Sequence, residues 1–245
     1  MSRYHIIGGS FFALLFGASL ATVPLACAHA QTGSLVGDET FEGGFSCVRL
    51  DALLPNVVVQ CQSNINPALP SFNFRLVGHR DDASGLDILH HIEMTRGGEA
   101  TPFQTISPVN SSVPASVANY GFEAIDLNFD GYLDMRVISS PPVGANIPYK
   151  NWLWSTPKRK FVANPALDKI TSPQFDANEQ EITSQWRSNA AEHGTDVYAY
   201  DGDVPVLIHR ETQTYGADGS CTRVYYDQID DELRKNGKGP CARDE

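Results

Sequence analysis

Residues 126–134, DLNFDGYLD, carry more oxygen than a turn needs. Side-chain oxygens recur at Asp126, Asn128 and Asp130, a glycine follows at Gly131, and Asp134 closes the run. The backbone carbonyl of Tyr132 falls in the same series. Hard oxygen donors in this number suit calcium, which takes six to eight of them. Magnesium demands a tighter octahedron and keeps more water. Without a cation, three carboxylates in so small a volume repel one another. The expected ligands are therefore Asp126, Asn128, Asp130, Asp134 and the carbonyl of Tyr132, and the expected cofactor is Ca2+. The loop is not an EF-hand, because the position that would need glutamate is Val137 and the flanks FEAIDL and YLDMRVI read as strands. The plainer alternative is an acidic β-turn closed by Asx hydrogen bonds. Since every ligand would come from one short loop, the metal is expected to brace the fold and to catalyse nothing.

The cysteines bear on the compartment. Residues 1–30 hold one early charge, Arg3, then an apolar run, then Ala28 and Ala30, small residues that suit cleavage before Gln31. This predicts a signal peptide over 1–30 and a periplasmic or secreted mature chain over 31–245. A lipid anchor on Cys27 is the lesser alternative, since Pro24 fits that motif poorly. Cleavage removes Cys27 and leaves Cys47, Cys61, Cys221 and Cys241, an even set for an oxidising compartment. Of three pairings, the local ones, Cys47–Cys61 and Cys221–Cys241, are the simplest. Their spacings do not form a zinc site.

Beyond the leader the chain carries 17 basic and 29 acidic residues, a formal charge of −12. No basic stripe runs along it, so nucleic acid is not the expected partner. A basic protein surface would be attracted to it. No further apolar run is long enough to span a bilayer.

Other constellations are weaker. His90-His91-Ile92-Glu93 on a regular strand would send His90 and Ile92 to one face and His91 and Glu93 to the other, which predicts a partly exposed strand and no metal site. No GxSxG elbow or Gly-rich phosphate loop occurs, and the mature cysteines are expected in disulfides, so no catalytic residue is assigned and the protein is not expected to be an enzyme. An envelope hydrolase acting on glycan or phosphoester and a carbohydrate-binding module remain as alternatives. The segment SSPPVGANIPYKNWLW, 139–154, is stiffened by Pro141, Pro142 and Pro148 and ends in aromatics. It reads as a protein-binding finger presenting Asn146, Tyr149 and Lys150, supported by Glu192 and His193 in the turn 188–195. The duller alternative is a crossing loop with Trp152 or Trp154 in the core.

These features sit on short β-rich runs separated by turn residues. Hairpins are expected at 45–50/57–61, 72–78/86–94, 122–127/132–138 and 151–155/160–164. A four-stranded meander is expected over 181–228. One helix is expected, from Asp227 to Lys235 and stopped by Gly237.

From Phe122 onward the chain resembles exported bacterial β-propeller proteins with an FG-GAP/VCBS-like calcium loop. The residues that carry the resemblance are FEAIDLNFDGYLDMRV, NWLWSTPKRKFVANPAL and EITSQWRSNAAEHGTDVYAYDGDVPVLIHRE, in that order. The resemblance implies an all-β, antiparallel propeller of about five blades. Some members of that family look like lysozyme inhibitors or immunity proteins against peptidoglycan hydrolases delivered by type IV secretion. It therefore implies a lysozyme-like peptidoglycan hydrolase as protein partner, blocked by a loop seated in its cleft.

Overall fold

The computed structural model describes residues 39–41, 45–50 and 56–241. The expected leader and Cys27 lie outside the described residues. Within them the chain is all-β and every strand pairing is antiparallel.

Three sheets follow one another along the chain. The first runs β1 (Glu39–Phe41), β2 (Phe45–Arg49), β3 (Asn56–Ser63), β4 (Phe72–Asp81), β5 (Leu86–Arg96) and β6 (Gln104–Ile106), with β7 (Ser111–Pro114) also on β5. The second runs β8 (Glu123–Ile125), β9 (Asp134–Ile138), β10 (Tyr149–Ser155) and β11 (Lys160–Ala163). The third is a meander of β12 (Pro173–Asp176), β13 (Glu181–Arg187), β14 (Glu192–Asp201), β15 (Val204–Tyr215), β16 (Cys221–Ile229) and β17 (Glu232–Pro240). The four expected hairpins form, as β2–β3, β4–β5, β8–β9 and β10–β11. Sheets of seven, four and six strands are not about five similar blades, and they are not closed. The second sheet has the four strands of a blade, but the first and third run past the point where one would end.

The larger core lies between the first two sheets. Phe72 and Phe74 of β4, Leu89, Ile92 and Met94 of β5, and Met135, Val137, Trp154 and Phe161 of the second sheet are buried together. Phe72 meets Trp154 edge-on at 5.3 Å, and Trp154 meets Phe161 at 5.2 Å, the offset geometry aromatic pairs prefer. A smaller core of Leu127, Leu167, Ile170 and Ile182 carries Tyr198 and Tyr200 against it. The alternation in DVYAYD thus sends both tyrosines to one apolar cluster. From Gly202 to Cys241 no residue is buried, so β16 and β17 extend the third sheet as a ribbon held by its ladder.

Both local disulfides are present. Cys47 and Cys61 sit directly opposite each other on β2 and β3, and Cys221–Cys241 ties the ends of β16 and β17. Disulfides fit an exported protein. The expected helix 227–235 is instead the end of β16, a turn, and the start of β17. Asp230 and Asp231 both take positive φ, 51° and 62°, the left-handed pair that a two-residue hairpin turn demands. A polar helix pattern there had no apolar face to bury, so strand pairing prevails. No helix among the described residues is long and apolar enough to cross a membrane.

Candidate calcium loop and protein-binding rim

The acidic loop joins β8 to β9. Phe129 and Gly131 take φ of 61° and 80°, and these left-handed residues turn the chain back on itself. Asp126 accepts from the amides of Asp130, at 3.2 Å, and Gly131, at 2.8 Å. Asp130 accepts from the Tyr132 amide at 2.9 Å and from Asn128 Nδ2 at 3.1 Å. The Asn128 Oδ1 atom is buried and has no hydrogen-bond partner. Phe129 turns inward onto Phe175 and Tyr200.

Asp134 differs from the rest. It is wholly buried and accepts the amides of Leu127, at 2.9 Å, and Trp154, at 2.7 Å, so it locks the loop to β10. Burial pushes its carboxyl up to about 8. The two amides oppose that shift, while Asp130 and Asp126 add to it. The phenol of Tyr200, which donates to the Leu127 carbonyl at 2.8 Å, is also pushed up, by burial first and then by Asp134, Asp126 and Asp130. Asp134 therefore holds its proton at neutral pH, and the negative field of Asp126 and Asp130 adds to what burial does. Among the described residues no three His, Cys, Asp or Glu side chains form a ready metal group. The fit to a hard cation rests on the mixed oxygens: an unpartnered buried amide oxygen amid uncompensated carboxylates.

The segment between β9 and β10 is a braced loop. Its base is closed by the Ser139 amide on the Pro148 carbonyl at 2.9 Å. At its tip Val143 and Asn146 exchange backbone hydrogen bonds, both 3.1 Å, around Gly144 at φ 62°. Ser172 accepts the Ile147 amide at 2.9 Å and donates to the Ala145 carbonyl at 2.5 Å. Val143 stands at the tip, 77% exposed, the most exposed large apolar residue among those described.

Behind the tip lies a cleft of about 350 Å³ lined by Ala145, Gln185, Trp186, Arg187, His193, Gly194 and Thr195. Its indole is fixed from below. Trp186 Nε1 donates to Asp196 at 2.9 Å, and Asp196 is buried in a fork with Arg210, at 2.7 and 2.5 Å, while also accepting the Tyr198 hydroxyl at 3.1 Å. Gly194 lets the ring lie flat on β14, since a Cβ there would come within 2.5 Å of it and 2.2 Å of the Glu211 carbonyl. His193 lies nearly parallel to Tyr215, with centroids 5.5 Å apart.

The expected contact residues divide accordingly. His193 lines this cleft, and Asn146 sits at its edge, hydrogen-bonded to the backbone of Arg187. Tyr149 does not join them. It is 7% exposed, at the first position of β10, with its ring 4.1 Å from the Arg136 guanidinium. Strand alternation turns it inward, where the cation and the apolar core hold it. Lys150 points outward but pairs with Asp168 at 3.6 Å. Glu192 and His193 begin β14 and are not in a free turn; the Glu192 carbonyl accepts from Ser188 at 3.0 Å and Asn189 at 3.3 Å. Sequence reasoning missed Val143 and Trp186. An apolar residue directly before glycine in a proline-bounded loop was the signal for the first. The second shows only when β13 and β14 are paired.

No protein-family model matches the chain, so the resemblance to FG-GAP/VCBS propellers gains no support from that direction. No curated protein matches it in sequence. Among solved structures, a Xanthomonas type IV secretion system related protein superposes with a TM-score of 0.49 at 17% identity, over 72% of this chain and 97% of its own.

Proposed function

We propose that this protein is an exported, calcium-braced β scaffold that binds another protein through its rim and does no chemistry itself. The observation that carries the reading is the loop at 139–148. An exposed valine is held at the tip of a segment tied to two other elements, beside a preformed cleft. An apolar tip on a rigid loop loses little entropy on docking, which makes it a good anchor. The partner that fits best is a lysozyme-like peptidoglycan hydrolase, an enzyme with an elongated cleft and commonly a basic surface. The formal charge of −12 beyond the leader would speed encounter with it. Seating Val143 in that cleft would exclude glycan sterically. Calcium would hold the β8–β9 corner on which the second sheet rests.

The test is inhibition. Purified protein is added to a panel of peptidoglycan hydrolases and clearing of a peptidoglycan suspension is followed. Slowed clearing is expected for at least one, with Val143→Asp raising the required concentration by at least about tenfold and leaving the melting temperature unchanged. Inhibition at full strength by Val143→Asp would remove the loop from the mechanism. Undiminished clearing across the panel would remove the partner class.

A further inference from the structure

The outer face of the first sheet carries a histidine pair that the proposed function does not use. On a regular strand His90 would share a face with Ile92, yet Leu89 and Ile92, three residues apart, are both wholly buried while His90 is exposed. A one-residue bulge explains this. Gly78 pairs with Leu89 and Val77 with His91, leaving His90 with no residue opposite. The expected alternation is thereby broken, and His90, His91 and Glu93 all lie on the side away from the core.

The bulge is anchored by its surroundings. A Cβ at Gly78 would lie 2.0 Å from the Ile88 carbonyl oxygen and 2.5 Å from the Tyr120 hydroxyl. Tyr120 is buried at φ 59° and donates to the Val57 carbonyl at 3.0 Å. The Val109 amide fixes the His90 carbonyl at 2.9 Å. The result brings His90 Nε2 to 2.7 Å from His79 Nδ1, with the ring planes within 7° and the centroids 4.8 Å apart. His91, next along, is engaged by Glu93 at 3.4 Å.

The geometry points to a two-imidazole binding site for a borderline divalent metal, zinc, nickel or copper, at His79 and His90. Each neutral imidazole has one N–H and one lone pair. His79 ligates through Nδ1 as its Nε2–H tautomer, and His90 through Nε2 as its Nδ1–H tautomer, so no proton leaves the neutral pair. Two Zn–N bonds of ~2.0–2.1 Å at a tetrahedral angle hold the nitrogens ~3.3 Å apart, so the nitrogens must part by ~0.6 Å and each ring must swing by roughly 35° from the present near head-on line for both lone pairs to meet at one metal. Both side chains reach solvent, and the fixed backbone keeps them paired. Water fills the remaining positions. Imidazole nitrogen selects these metals, whereas the hard oxygens of the acidic loop select calcium, so the two sites do not compete.

The test titrates zinc chloride into untagged protein in excess calcium, by calorimetry, beside His79→Gln and the His79→Gln/His90→Gln double variant. One zinc per chain is expected in the native protein, at least about tenfold weaker in the single variant and lost in the double. Equal zinc binding in the double variant, or none in the native protein, overturns the site. A readout free of variants uses copper(II): the imidazole NMR signals of His79 and His90 should broaden first. Broadening first at His193 or His209 overturns it equally.

Discussion

Asn146 stands in for a strand neighbour of Arg187. Its Nδ2 donates to the Arg187 carbonyl at 2.8 Å and its Oδ1 accepts the Arg187 amide at 2.9 Å. One side chain thus satisfies the last donor and acceptor of β13 and ties the 139–148 loop to the edge of the cleft. Replacing Asn146 with alanine removes two hydrogen bonds at a partly exposed position. A loss of about 1–2 kcal/mol is expected, concentrated in the loop. Hydrogen exchange should show the Arg187 and Ile147 amides losing protection while β4 and β5 stay protected.

Asp196 is the buried centre of the cleft floor, gathering Arg210, Trp186 and Tyr198. Asp196→Ala leaves a guanidinium and an indole N–H without their acceptor. The expected cost is about 3 kcal/mol, toward the lower end for a broken buried pair because Arg210 is partly exposed. Denaturant melts check the magnitude. A shift in the fluorescence of Trp186 should accompany it, since the ring loses its anchor.

Calcium should stabilise the fold. At a concentration 100 times its dissociation constant the gain is about 2.7 kcal/mol, read as a rise in melting temperature over chelated protein. Asp126→Asn and Asp130→Asn should each reduce that rise, while magnesium at equal concentration should give less. An identical melt with calcium and with chelator removes the metal from the scaffold.

Alkaline pH should unfold the protein through its tyrosines. Burial first, and Asp196 next, push Tyr198 up to about 12, and burial holds Tyr120 and Tyr200 higher still. The folded chain therefore keeps phenolic protons that the unfolded chain releases above its ordinary value of 10.0. Stability from these groups is complete below pH 10 and is lost as pH rises through their raised values, about 12 for Tyr198 and higher for the other two. Tyrosinate absorbance should rise in two stages, the exposed phenols first and the buried ones together with loss of the β signal.

Local sequence determined the hairpins, because strand alternation and a turn residue act over a few positions. FNFRLVG and LDILHHIEM had to pair once HRDDASG turned between them, and Cys47 had to meet Cys61 once β2 and β3 folded onto each other. The acidic series at Asp126–Asp134 was likewise legible as a cluster of oxygens. The number and extent of the sheets was not legible, since whether a meander stops at four strands or runs to six depends on contacts between distant segments. The turn at Asp230–Asp231 was not legible, because the same polar residues serve a helix surface and a two-residue hairpin equally well. Tyr149 was placed outward by its position after a loop, and only the Arg136 guanidinium and the packed core turned it in. The His79–His90 pair needed a bulge, which shifts one residue and reverses every face beyond it. No single strand encodes that shift. It arises where Gly78 of β4, Ile88 of β5 and the more distant Tyr120 crowd one another.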